Sequence, residues 1–138
     1  MVTTSAPSPE QVLETWKSTL KVSTADEIPN VNTEPLIIFS ELFEFNNAAE
    51  ELTSASVKVE YLPKDNYLDS RSFRSYLQHF KEARMAPETL LKIILGHLIQ
   101  TLSPENLSCV LTIQFGSFTQ TLSLGYEVPE QQMETTDG

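Results

Sequence analysis

The sequence predicts an α+β domain. It has a four-stranded antiparallel sheet with two helices on one face, ordered strand–strand–helix–helix–strand–strand, and an N-terminal helix before it. Three observations predict this. Two segments before residue 63 alternate apolar and polar residues with period two, and two segments after residue 106 do the same. Between the pairs, residues 73–102 carry apolar side chains at helical spacing.

Taken in order, residues 1–7 are expected to be a flexible Ser/Thr/Pro tail, and residues 8–34 an N-terminal helix with its linker. Ser8-Pro9-Glu10-Gln11 has the pattern of a helix start: a capping serine, proline in the first turn, and glutamine at the capping-box position. Val12, Leu13, Trp16 and Leu20 form that helix's apolar stripe, and "STADEIPNVNTEP" is a polar connection. The domain proper spans 35–127. "LIIFSELFEF" places Ile37, Phe39, Phe43 and Phe45 on one strand face, and "SASVKVEYL" does so for Val57, Val59 and Tyr61. Phe73, Tyr76, Leu77 and Phe80 then mark the first of two helices. The second opens at Pro87-Glu88 and carries Leu91, Ile94, Leu95, Leu98 and Leu102, widened by Leu90, Ile93 and Ile99. Leu107, Cys109, Leu111, Ile113 and Phe115 alternate on a third strand, and Phe118, Leu122, Leu124 and Tyr126 on a fourth. Gly116-Ser117 between them is a two-residue hairpin signal with glycine first. Residues 128–138 are expected to be a flexible acidic tail.

A chain of 138 residues suffices for one domain with a real core. The net charge of −10 argues against nucleic acid as a partner, because phosphate backbones select basic surfaces. No apolar run reaches the roughly eighteen residues of a membrane span, and the longest is broken by Lys92 and His97. The N-terminus lacks the pattern of a secretory signal, and the single cysteine, Cys109, fits a reducing compartment, so the expected location is cytoplasmic. Cys109 lies on an alternating apolar face, where a thiol is an inert core group. His79 and His97 fall on different helices with no Cys or His at ligand spacing, so no metal site is expected. With four glycines, none at dinucleotide or Walker spacing, no phosphate loop is present.

The stretch "EYLPKDNYLDSRSFRSYL" concentrates charge and hydroxyls at Asp69-Ser70-Arg71-Ser72, where the first helix begins. Asp69 and Ser70 are cap candidates by residue type. The segment resembles one in the NADPH-dependent 7-cyano-7-deazaguanine reductases, nitrile reductases of queuosine biosynthesis built on the tunnelling fold (T-fold). The matching positions are Asp69, Ser70, Arg71, Ser72, Phe73, Arg74, Tyr76 and Leu77, with Arg at both basic positions where the family has Lys and Asp where it has Glu. The match runs without a gap through Glu88 to Pro104.

The resemblance implies a T-fold whose subunits close barrels by pairing sheets between chains, and hence a homo-oligomer. It implies that Glu88 anchors a purine- or pterin-like ring, as the glutamate near the start of the second T-fold helix does. A glutamate after proline is equally a good helix start, so both readings stand for Glu88. It further implies that Asp69, Ser70, Arg71 and Arg74 lie at a subunit interface near substrate and cofactor, although two arginines on a helix also suit a solvated or ion-paired face. The chemistry does not carry over. In the same register the family's nucleophilic cysteine falls at Asn46 and its proton-transferring aspartate at Thr53. An amide nitrogen has no available lone pair and cannot replace a thiolate. The family's histidine beside the anchoring glutamate is Pro87, and its arginine-bearing turn reads "Gln-Phe-Gly-Ser-Phe".

The expected function is therefore that of a non-catalytic relative: an oligomeric binding or scaffold protein with no catalytic residues, for a small purine- or pterin-like ligand or a protein partner. No cofactor is expected, NADPH entering only if reductase activity is retained. Two alternatives are a T-fold enzyme of altered chemistry using Glu88, Asp69 and His79, and a structural subunit docking through the helix that contains Trp16.

Overall fold

The computed structural model describes residues 19–24, 35–47, 51–81 and 84–128. The elements are β1 (Val22–Thr24), β2 (Ile37–Asn46), β3 (Leu52–Leu62), β4 (Asn66–Leu68), α1 (Ser70–Gln78), a 3-10 turn (His79–Lys81), α2 (Pro87–Leu102), β5 (Asn106–Phe115) and β6 (Phe118–Glu127). β2, β3, β5 and β6 form one antiparallel sheet in that spatial order, and β1 pairs with β4 in a separate two-stranded ribbon. This is the α+β arrangement read from the sequence. The Val12–Trp16 part of the expected N-terminal helix, both expected tails apart from Val128, and most of the linker lie outside the described residues.

The period-two pattern becomes a core because the register aligns the apolar rows. Phe39 lies across from Val59, Val59 from Cys109, and Cys109 from Leu124. Phe43, Phe45, Val57, Val59, Leu107, Cys109, Leu111 and Ile113 are buried, with the apolar stripes of both helices in the same cluster. α2 contributes Leu90, Leu91, Ile94, Leu98 and Leu102; Ile93, Leu95 and Ile99 flank it half-buried. α1 contributes an aromatic ladder. Phe73 meets Phe39 edge-on at 5.3 Å, Tyr76 meets Phe80 at 5.4 Å, and Phe80 reaches Phe43 at 6.3 Å. Truncating a fully buried ring of this ladder, such as Phe73 or Phe80, to alanine costs about 3–5 kcal/mol. Gly116, at a φ of 62°, supplies the positive angle that the β5–β6 turn needs at its first position. Ser103 ends α2 in the left-handed region at φ 45°, its N–H bonded to the Ile99 carbonyl at 2.8 Å.

Two local features depart from the sequence reading. Residues 22–24 and 66–68, expected as linker and loop, pair as β1 and β4. Three-residue strands are too short for alternation to show in sequence. The second departure is the cap. Asp69 occupies the N-cap position of α1, yet its side chain makes no capping bond, and Ser70 is the first helical residue. The hydroxyl that works there belongs to Ser72. It donates to the Asp69 carbonyl at 2.7 Å and accepts the Lys21 N–H at 2.9 Å, while the Asp69 N–H donates to the Lys21 carbonyl at 2.9 Å. The backbone leading into β1 is thus tied to the start of α1 through the Ser72 hydroxyl and the Asp69 N–H. Leu20, just before it, is buried in the core.

Candidate functional site

α1 runs alongside β2 in the same direction. Phe39 contacts Phe73, Glu41 pairs with Arg74, Phe43 contacts Phe80, and Glu44 pairs with Lys81. This order fixes where the candidate residues fall. Asp69, Ser70 and Arg71 sit at the Ile37 end of the sheet, where α1 starts. Glu88 lies past the other end of α1, beside the terminus of β2. At 1.5 Å per residue, the nine residues of α1 alone span about 13 Å. A single chain therefore does not bring Glu88 and the Asp69–Arg71 cluster together. Arg74, midway along, donates through Nε to Glu41 at 2.9 Å, an ion pair whose arginine side chain is 69% exposed.

At the Glu88 end the geometry is defined by Asn46. It closes β2 opposite Leu52, and its outer edge forms a parallel bridge with Arg84. Its carbonyl accepts the Met85 N–H at 3.1 Å, and its side-chain amide donates to the Lys81 carbonyl. Thr53 is buried and donates to the Glu51 carbonyl at 3.0 Å. The positions to which the resemblance assigns nucleophile and acid thus hold two residues engaged with backbone carbonyls. Pro87 and Glu88 are the first two residues of α2 after Ala86, which offers no capping side chain. Glu88 is exposed at the positive end of the helix, and among the described residues its carboxylate has no hydrogen-bond or ion-pair partner.

The other chemical side chains are structural. Cys109 is fully buried, and burial pushes its thiol up to about 12, far from a thiolate at neutral pH. Tyr76 shares a 2.7 Å hydrogen bond with His97 Nδ1 across the two helices. Burial pulls His97 down to about 4 and holds Tyr76 well above its ordinary value, so both are neutral at pH 7. The sequence hints at this pair only in that a tyrosine on an apolar stripe needs a partner for its hydroxyl. His79 Nδ1 lies 3.1 Å from the Tyr76 carbonyl. Among the described residues no three His, Cys, Asp or Glu side chains are grouped to hold a metal ion. An open depression of about 610 Å³ on the sheet face away from the helices is lined by Glu60, Asn106, Ser108 and Glu127. It lies at the opposite end of the sheet from Glu88.

The family model described as QueF-like protein matches residues 54–117, a stretch containing both Asp69–Ser72 and Glu88 and beginning just after Thr53. A crystal structure of the archaeosine synthase QueF-Like in the apo form superposes with a TM-score of 0.65, covering 71% of this chain and 100% of that one. The chain has a T-fold, and its residues 54–117 are similar to the QueF-like proteins. Identity to that structure is 16%, so the likeness concerns the fold. No curated protein matches the sequence. Among the described residues, no helix is long and apolar enough to cross a membrane.

Proposed function

We propose that this QueF-like relative is a non-catalytic, oligomeric T-fold binding protein of the cytoplasm, in which Glu88 anchors a purine- or pterin-like ring. One observation carries the reading. Asn46, at the nucleophile position of the resembled reductases, spends its side-chain amide on the Lys81 carbonyl, and the only thiol of the chain is sealed in the core. Addition to a nitrile needs a thiolate with access to substrate, and neither group supplies one. Glu88, by contrast, keeps an exposed carboxylate able to accept two ring N–H bonds, and charge-assisted bonds of this kind are about twice as strong as neutral ones.

Oligomerisation is supported by the separation along α1, since a site joining Glu88 with Asp69, Ser70 and Arg71 needs a second copy. It is also supported by β6, a ten-residue strand at the sheet edge with no charged residue before Glu127. The test is NADPH consumption with 7-cyano-7-deazaguanine, alongside the molecular mass in solution. The expected result is an oligomer without turnover. Turnover that depends on this protein would overturn the non-catalytic reading.

A further inference from the structure

Two backbone stretches, at Lys81 and at Arg84–Met85, are tied to the same residue of the sheet. Asn46 donates its side-chain amide to the Lys81 carbonyl, bridges Arg84 in parallel, and accepts the Met85 N–H at 3.1 Å. From Met85 the path to Glu88 is short and stiff. Met85 is buried, Ala86 is extended at φ −69° and ψ 152°, and the Pro87 ring fixes the next φ. Leu90 and Leu91 are buried on the far side, and the Leu90 N–H closes the first turn of α2 on the Ala86 carbonyl at 3.0 Å. Glu88 itself makes no polar contact among the described residues, so its place is set by these neighbours.

We infer that Asn46 is the positioning residue for Glu88, stapling the lead-in of α2 to the end of β2. Its functional weight rests on the ring-anchoring role proposed for Glu88; the staple itself does not. The side chain must be short and must donate to a carbonyl, which asparagine does. Aspartate, ionised, has no donor and would set its negative charge toward the Lys81 carbonyl, and a thiol is only a weak donor. A cysteine at this position would keep the backbone contacts with Arg84 and Met85 and give up the amide donation to the Lys81 carbonyl.

The test is residue-resolved amide hydrogen exchange on the full chain without ligand, for the native protein, Asn46→Asp, Asn46→Ala and Glu88→Ala. Both Asn46 variants should exchange the Met85 and Leu90 amides about tenfold faster, while the Ile94 and Leu98 amides keep their native rates. Glu88→Ala should leave the Met85, Ile94 and Leu98 amides unchanged and move the Leu90 amide by less than the Asn46 variants do. Native rates at Met85 and Leu90 in the Asn46 variants would overturn the inference. So would equal acceleration throughout α2 and the sheet, which would make Asn46 a contributor to overall stability only. Failure of Glu88 to bind a ring would appear in a binding measurement and leave this result standing.

Discussion

At the start of α1 the Ser72 hydroxyl is buried between Asp69 and Lys21, whereas beyond its end the Glu88 carboxylate stands exposed and without a partner among the described residues. Both regions are polar in sequence and both fall in the stretch that matches the QueF-like model. The fold uses them differently. At the first end Ser72 is buried and, with the Asp69 backbone, holds the chain that leads into β1, while the Asp69, Ser70 and Arg71 side chains are exposed. At the second end the neighbours are satisfied and one charge is left over. A polar motif at a helix start is thus not by itself a ligand site, because a hydroxyl within it can serve to close the backbone, as Ser72 does.

The contrast can be broken by substitution. Ser72→Ala should have the largest effect, destabilising by about 1–3 kcal/mol, since it removes a buried hydroxyl that the Lys21 N–H donates to in a part-buried setting. A loss under about 0.5 kcal/mol in chemical denaturation would mean that the hydroxyl is replaceable by water. Asp69→Ala should cost less than Ser72→Ala, because the Asp69 side chain makes no capping bond. The reverse order would restore the carboxylate as the cap.

An intermediate effect is expected from pH. The folded state holds His97 near 4, below the ordinary 6.5, so the unfolded chain takes up the proton first as pH falls. The stability from its neutral bond to Tyr76 is fully present above about 6.5 and lost as pH falls from 6.5 through 4. Denaturation midpoints compared at pH 7 and pH 4.5 should fall more for the native protein than for His97→Gln. Parallel losses would remove the pair from the acid response. The smallest change should come from Arg74→Ala, an exposed ion pair worth at most about 1 kcal/mol by the same midpoints. A loss above about 2 kcal/mol would show that Glu41, on the core-facing row of β2, depends on it.

How much of this was legible follows from the range of each interaction. The sheet and both helices were readable because their patterns run for nine residues or more, and the tight turn because Gly116-Ser117 signals it locally. Nothing in the sequence announced β1 and β4. Ser72 meets Lys21 across 51 positions, and Asn46 meets Lys81 across 35, distances at which spacing carries no signal. Asp69 takes the N-cap position that its residue type suggests, but its side chain makes no capping bond. Glu88 was found through the resemblance, and its exposure follows from its position in the first turn of α2. That Glu88 and Asp69 lie at opposite ends of α1 follows only from the packing of that helix on β2.

The most direct test of the central claim, that Glu88 anchors a ring, is thermal stabilisation by guanine, 7-deazaguanine and pterin, measured in parallel on the native protein and on Glu88→Ala. The Tm of the native protein should rise with at least one of these rings, and that of Glu88→Ala with none. No rise with any ring, or a rise that Glu88→Ala retains in full, would contradict it.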